Sequence, residues 1–293
     1  MKKYIIFGAD GQLGSELRSQ LDKRQINGEE ISYAAVDVDR CDITDEVQLG
    51  KFMEAQGEAD VVFNAAAYTA VDEAESNPDR AMAVNAVGAG SVAAAARECG
   101  ARLIHVSTDF VFGDGYSTPI DEMGVPRPLS VYGRTKLAGE TLALQNNPQT
   151  AVLRTCGLYS RWGANFVKSI AHHGREKEKL EVVNDQYVGP TPVTRLAEVA
   201  IQLADAPMFM GGLYHATVQG ECTWYQFARR LVELLGLDVR VEPTTARQWG
   251  AAARRPRYSV LDNRRLRLRG MDEFGTWDEE LEAFVDAHRD KLR

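Results

Sequence analysis

A short apolar run, Tyr4–Phe7, ends abruptly in Gly8-Ala9-Asp10-Gly11-Gln12-Leu13-Gly14 and passes straight into a helical pattern from Leu13 to Leu21. No other feature restricts the fold as much. A buried strand, a glycine turn and a helix in that order open a β-α-β unit, and parallel strands require such a crossover. Glycines let the backbone turn tightly and bring a helix N-terminus, with its positive dipole end, up to an anion. The spacing is GxxGxxG rather than the GxGxxG of long-chain dehydrogenases, but its place between strand and helix marks a nucleotide loop. Gly8, Gly11, Gln12, Leu13 and Gly14 are therefore candidate contacts to a dinucleotide pyrophosphate.

The alternation continues. Tyr33–Val36, Val61–Phe63, Leu103–Val106 and Ala151–Leu153 read as further buried strands, rich in β-branched residues. Between them lie helical stretches, Asp45–Ala55 with Thr44 as cap, Pro78–Cys99 followed by Gly100, and Val131–Leu144. This order predicts an α/β fold, a doubly wound parallel sheet with helices on both faces. Beyond about residue 155 the rhythm loosens. Helices are expected over Phe166–Glu176, Leu196–Ala204, Trp224–Leu235 (capped by Thr223) and Trp277–Arg293, and strands over Leu180–Val183, Leu213–Ala216 and Val239–Val241. Gln186–Pro192 and the arginine-rich Arg247–Arg257 read as loops. We therefore expect residues 1–155 to form a dinucleotide-binding domain and 156–293 a smaller C-terminal α/β substrate lobe, with some later chain returning to the first.

Charge narrows the partners. Lys plus Arg is 34 against 42 Asp plus Glu, a net −8, which disfavours nucleic acid. No run of about 18 apolar residues exists to span a membrane. Cys41, Cys99, Cys156 and Cys222 stand far apart with no CxxC, so neither a disulfide framework nor a zinc site is suggested, and a reducing, cytoplasmic compartment fits.

The second strand ends in Asp37, placed to bind ribose hydroxyls; Asp39 is a second candidate, and Arg40 could meet a 2′-phosphate. NADPH and NADH therefore both remain open as cofactor. Asp42 and Ile43 could flank adenine, and Ala65, Ala66 and Ala67 at the end of strand three let backbone pass close to the cofactor. Strand four ends in Ser107-Thr108-Asp109, where Thr108 can offer a hydroxyl to a substrate oxygen. Tyr132 and Lys136, four residues apart on a helix, share one face. A neighbouring ammonium lowers a phenol's ordinary value near ~10 and makes it a usable acid/base. His105, inside an apolar strand, reads as a core histidine; His172 and His173, adjacent on a helix, face different directions, and no metal site is expected.

Gly-x-x-Gly-Gln-Leu-Gly, Asn-Ala-Ala-Ala-Tyr-Thr-Ala-Val-Asp, Ser-Thr-Asp-Phe-Val-Phe and Val-Tyr-Gly-Arg-Thr-Lys-Leu-Ala-Gly-Glu together resemble the extended short-chain dehydrogenase/reductases, specifically the dTDP-4-dehydrorhamnose reductases. The resemblance continues through Asn184-Asp185-Gln186-Tyr187, Pro190-Thr191, Gly212-Leu213-Tyr214-His215 and Arg255-Pro256-x-x-Ser259-x-Leu261, nearly the whole chain. It implies a Rossmann-type sheet and hydride delivery from NADPH or NADH to C4 of dTDP-4-dehydro-L-rhamnose, giving dTDP-L-rhamnose. Thr108, Tyr132 and Lys136 would be the catalytic set, with Lys136 binding the nicotinamide ribose and depressing Tyr132. Thr69, Thr108, Asp109, Phe110, Tyr132 and Arg255 would meet the sugar nucleotide. Arg161, Arg254 and Arg257 are further candidates for its pyrophosphate.

Sugar-nucleotide dehydratases of this superfamily place Glu after the Thr-Asp pair; Phe110 stands there and cannot shuttle protons, which favours a reductase. The family often reads Arg-Thr-Ser-Trp-Val-Tyr where this chain has Arg154-Thr155-Cys156-Gly157-Leu158-Tyr159. Either Trp162 replaces that tryptophan from a nearby loop, or the pocket takes a different sugar. The competing functions are a reductase or epimerase on another nucleotide sugar, and a reductase-like regulatory subunit that binds cofactor without turnover. Some family members are thought to dimerise through Mg²⁺-bridged carboxylates. Glu16 matches one of these, but Thr194 and Arg195 occupy the other's place. A monomer or metal-independent homo-oligomer is expected.

Overall fold

The computed structural model describes residues 1–292. Five strands and the helices between them build the first half: β1 (Lys2–Phe7), α1 (Gln12–Ile26), β2 (Ile31–Val36), α2 (Glu46–Gln56), β3 (Val61–Asn64), α3 (Val71–Ala74), α4 (Pro78–Met82), a π-helical turn (Ala83–Gly88), α5 (Ala89–Glu98), β4 (Arg102–Thr108), α6 (Val131–Asn146) and β5 (Thr150–Thr155). The second half adds α7 (Phe166–Glu176), β6 (Lys179–Val183), β7 (Tyr187–Val188), α8 (Val193–Asp205), β8 (Gly212–His215), β9 (Cys222–Thr223), α9 (Trp224–Leu235), β10 (Arg240–Thr244), α10 (Ala246–Trp249), α11 (Arg264–Leu268) and α12 (Trp277–His288). Arg293, which was expected to end the closing helix, lies outside the described residues; that helix gives way at His288 to a single 3₁₀ turn, Arg289–Lys291.

Six strands form one parallel sheet in the order β2-β1-β3-β4-β5-β8. Successive side chains of β1 point to opposite faces: Tyr4 and Ile6 join one apolar layer, Ile5 and Phe7 the other. Both layers are covered. Leu13, Leu17 and Leu21 of α1 and Leu196, Ala200 and Leu203 of α8 close the first; Leu49 and Met53 of α2 and Val92, Ala93 and Ala96 of α5 close the second. This is the doubly wound Rossmann-type arrangement. Its last strand, β8, and the helix α8 come from beyond residue 155.

A second lobe has its own core. Val167 and Ile170 (α7), Phe227 and Leu231 (α9), and Leu281, Phe284 and Val285 (α12) pack on Leu180 and Val182 of β6. Here β6 pairs in parallel with β10, and β7 pairs antiparallel with β9. The Gln186–Pro192 loop thus contains a short strand, and the expected arginine-rich loop Arg247–Arg257 begins inside the helical turn α10, because a Thr245–Gln248 capping box starts that turn.

Two local readings differ from expectation for physical reasons. Asp45, not Thr44, caps α2, because its carboxylate accepts both the Val47 and Gln48 N–H at 3.0 Å. The helix expected over Pro78–Cys99 widens into the π turn at Ala83–Gly88, where Gly139 of α6 approaches so closely that a Cβ would stand 2.0 Å from the Asn85 carbonyl oxygen.

Behind that contact lies a buried ion pair. Arg154 of β5 donates through Nε (2.8 Å) and Nη2 (2.6 Å) to the two oxygens of Glu140 on α6, and Ser107 of β4 donates to the same carboxylate at 2.5 Å. Both charged side chains are almost wholly buried. Arg154→Met should destabilise the protein by about 3–5 kcal/mol, because it strands the Glu140 charge, whereas adding Glu140→Leu should recover most of the loss. Denaturant unfolding of the single and double variants checks this.

Candidate active site

Strand β4 ends at Thr108 and the chain enters a 3₁₀ turn, Asp109–Val111, which Thr108 caps by accepting the Phe110 N–H at 3.2 Å. Ser130 caps α6 in turn, accepting the Gly133 N–H at 3.1 Å. Gly133 is glycine because a Cβ there would lie 2.2 Å from the Phe110 carbonyl oxygen. Its absence lets the first turn of α6 sit directly on the 3₁₀ turn. Tyr132 is thereby brought to Phe110, ring centroids 5.9 Å apart and edge to face, beside Thr108.

Burial raises the Tyr132 phenol above its ordinary value, the Asp109 charge pushes it further, and the Thr108 hydroxyl pulls the other way. The Tyr-Lys spacing alone predicts the opposite shift. The reason is geometric: Lys136 Nζ donates to the Val106 carbonyl oxygen at 2.6 Å and does not act on the ring. Lys136 is itself 2% exposed, and burial brings its ammonium down to about 8 against the attraction of Glu140.

Asp109 is 2% exposed, so its expected contact with substrate is indirect. Its Oδ1 accepts from Thr108 Oγ1 at 3.0 Å and its Oδ2 from Ser259 Oγ at 2.5 Å. Burial lifts the carboxyl to about 6 in spite of these donors. His105 is a core histidine, held neutral by burial, but neither ring nitrogen has a partner.

The strand order reverses between β1 and β3, and ligands of such sheets bind in the crevice at that point. The glycine loop stands there. Gly8 has φ +74°, and a Cβ on it would lie 2.5 Å from the Ala66 nitrogen; one on Gly14 would lie 2.1 Å from the Gly8 carbonyl oxygen. These two glycines serve the fold. Gly11 does not need to be glycine for the backbone: its φ is −68°, and a Cβ would meet only Gly8 O, at 3.3 Å. No side chain caps α1 at Gly11. Buried Asn64 at the end of β3, in register with Phe7 just before the loop, keeps an unpartnered Nδ2 donor. A cradle without side chains, a free helix N-terminus and an unpaired donor fit a dinucleotide.

The remaining cofactor candidates divide. Asp37 accepts the Asp10 N–H (2.9 Å) and the Val38 N–H (2.7 Å), which ties the glycine loop to the end of β2. Asp39 is exposed, and Arg40 donates to the Ala35 carbonyl at 2.8 Å. Asp42 is spent on Thr44, whose N–H and hydroxyl it accepts, while Ile43 is buried against Gly88. Gln12 points its amide oxygen at Ser160 and Asn165 of the second lobe. Leu13 packs in the core, leaving only its backbone to a ligand. Ala65, Ala66 and Ala67 line the crevice edge, half-buried. Asn85, which sequence reading passed over, holds Tyr68 by both N–H and carbonyl and receives support from Thr135 one residue before Lys136. Its only sequence signal is a lone polar residue in an alanine-rich helix.

On the substrate side a cavity of about 1290 Å³ opens between the lobes, lined by Phe110, Phe166, Trp224, Ser259 and the arginine-rich loop. Arg255 lies on it, but its guanidinium is forked onto Asp72 at 3.1 and 2.8 Å. Arg254 is paired with Asp114. Arg247 and Arg257 line the cavity, and their guanidinium groups form no ion pair among the described residues, although the Arg257 N–H donates to Asp114 at 3.1 Å. Thr69 stands exposed after β3. Arg161 and Trp162 do not reach the cavity: they stack on each other at 4.3 Å and turn to α1, where Trp162 donates to Glu16 at 2.9 Å. The indole beside Gly157 is instead Trp224. Gly157 has φ +53°, and a Cβ there would meet Trp224 at 2.8 Å. His172 and His173 do not diverge as expected: both reach Glu176, at 3.4 and 3.8 Å, with ring centroids 5.0 Å apart.

The RmlD substrate binding domain family matches residues 1–289. A Streptomyces griseus protein described as a dTDP-4-dehydrorhamnose reductase is 39% identical over 280 residues, covering 94% of this chain and 90% of its own. A Clostridium acetobutylicum structure described likewise superposes with a TM-score of 0.92 at 38% identity, covering 98% of this chain and 99% of its own. One from Bacillus anthracis, in complex with NADP, does so at 0.93 and 35%, covering 98% and 100%.

The two kinds of glycine give separable expectations. Gly11→Val should leave the melting temperature near that of the wild type while weakening NADPH binding about tenfold or more, roughly 1.4 kcal/mol. Gly14→Val should unfold the protein outright. Thermal melts and NADPH fluorescence titration tell the two apart.

Proposed function

The chain belongs to the RmlD substrate binding domain family, and on that premise we propose that it is an NAD(P)H-dependent oxidoreductase that reduces the C4 ketone of a dTDP-4-keto-6-deoxy sugar. The substrate is dTDP-4-dehydro-L-rhamnose and the product dTDP-L-rhamnose, the last step of dTDP-rhamnose synthesis. One observation carries the reading: Thr108 and Tyr132 meet at the end of β4, with aromatic Phe110 against the phenol and the cavity beyond.

The nicotinamide, when bound, supplies the hydride. This chain's residues supply position and the proton. Tyr132, held as a neutral phenol by burial and by Asp109, gives its proton to the oxygen at C4. Thr108 sits beside it to hydrogen-bond the same oxygen. Lys136, fixed by the Val106 carbonyl, offers its remaining N–H groups to the ribose. Gly8, Gly11 and Gly14 with the α1 N-terminus would hold the pyrophosphate. Arg247 and Arg257 would take that of the sugar nucleotide. No further acid or base faces the substrate carbons from position 110, so water elimination has no tool.

A second reading, reduction of a different dTDP sugar, is favoured by the Gly157–Trp224 contact, which reshapes one wall of the cavity. A cytoplasmic setting accords with four free thiols, and no helix of the described residues is long and apolar enough to cross a membrane. Glu16 is nearly buried and engaged by Trp162 and Gln20, which supports a monomer or a metal-independent assembly.

An assay of NADPH and NADH oxidation against a panel of 4-keto nucleotide sugars tests the assignment. Cofactor binding without turnover on any of them would instead support a regulatory subunit. Tyr132→Phe should keep NADPH affinity and lower kcat by roughly 10²–10⁴. Incubation with dTDP-glucose should yield no 4-keto-6-deoxy product, as mass spectrometry would register.

A further inference from the structure

Asp109 is a buried acid with no cation beside it. The groups that face it are the Thr108 and Ser259 hydroxyls, the Cys156 thiol and, from α6, the Tyr132 phenol. Lys136, on the same helix, is turned to Val106. All three donors that reach Asp109 are neutral and can reverse or withdraw. This matters most for Thr108, which has one hydrogen. While Asp109 is ionised, Thr108 spends that hydrogen on Oδ1, accepts the Phe110 N–H, and has no hydrogen left for a substrate oxygen. An oxygen gaining negative charge needs a donor.

We propose that Asp109 is a positioning residue that sets the direction of the Thr108 hydrogen bond. Ionised, it holds the threonine hydrogen. Protonated by one solvent proton, it donates to Thr108 Oγ1, and the threonine hydrogen turns to the substrate oxygen. The inference rests on the reductase reading above. It assigns Ser259 a role as well: this hydroxyl reaches across from the second lobe and stabilises the ionised form.

The test is the pH dependence of kcat/KM for reduction, which reports the free enzyme. The wild type should lose rate about tenfold per pH unit above a break near pH 6, where burial places Asp109. Asp109→Asn supplies a permanent donor to Thr108 and an acceptor for Ser259, and should remove that break. Ser259→Ala withdraws a donor from the carboxylate, raises its proton affinity and should move the break to higher pH. NADPH affinity should stay within about twofold in both, since neither residue meets the cofactor crevice. A second readout needs no turnover: the pH-difference infrared spectrum of the protein alone should lose one carboxylic-acid band in Asp109→Asn and shift that titration upward in Ser259→Ala. A break that survives in Asp109→Asn, or one that falls in Ser259→Ala, overturns the proposal while leaving the reductase intact. So does uniform loss of rate with an unchanged profile. A wild type inert toward every 4-keto sugar overturns the reductase reading, and the switch as a step of that reaction falls with it.

Discussion

The fork of Arg154 on Glu140 decides where helix α6 lies, and α6 carries both Tyr132 and Lys136. Glu140 stands one turn beyond Lys136, so the pair pins the helix on the same side that faces the site. Ser107 completes the carboxylate's bonding from β4, one residue before Thr108. Three elements of the site, β4, β5 and α6, therefore meet at one buried charge. Such a pair is expensive to bury and contributes little net stability compared with apolar packing. What it provides here is register: an apolar contact would let α6 slide, whereas a two-pronged hydrogen bond does not.

Close backbone approach does the same on the cofactor side. Gly8 against Ala66, Gly14 against Gly8, Gly133 against Phe110 and Gly139 against Asn85 are four places where a single Cβ would drive neighbouring backbones apart. The first two lie at the switch in strand order, the last two on α6. Gly11 is the exception, a glycine the fold does not demand, and that asymmetry separates binding from architecture within one motif. The site also costs stability. Burial lifts the Asp109 carboxyl from the ordinary carboxylate range to about 6, so ionising it in the folded state forfeits about 3 kcal/mol as pH rises from ~4 to ~6.

The alternating sheet was legible because parallel strands buried on both faces read as continuous apolar runs, and Tyr4–Phe7 through Ala151–Leu153 all do. The helix caps were legible where a side chain alone can act, as at Thr223. Asp45 against Thr44 was not, since both can cap and only backbone direction chooses. Long-range pairings stayed hidden for a related reason. Nothing local in Arg255 announces Asp72, and nothing in Trp162 announces Glu16. Arginine composition therefore suggested anion binding at Arg161, Arg254 and Arg255, whose guanidinium groups are already engaged, as well as at Arg257, which is not, and passed no comment on Arg247. The Tyr-Lys spacing named Tyr132 but misread its electrostatics, because burial and Asp109 act on the phenol while the ammonium is held by a carbonyl. The coupled histidines were misjudged because side chains at consecutive positions can both bend toward a carboxylate one turn on.

The second lobe is more than a wall of the cavity. Ser259 touches the catalytic turn through Asp109, Ala253 donates its N–H to Asp72, and Gln12 at the glycine loop accepts from Ser160 and Asn165. Each contact joins a residue next to a binding crevice to a loop of the opposite lobe. The lobes therefore cannot shift without disturbing the bonds that aim Thr108 and hold the α1 N-terminus.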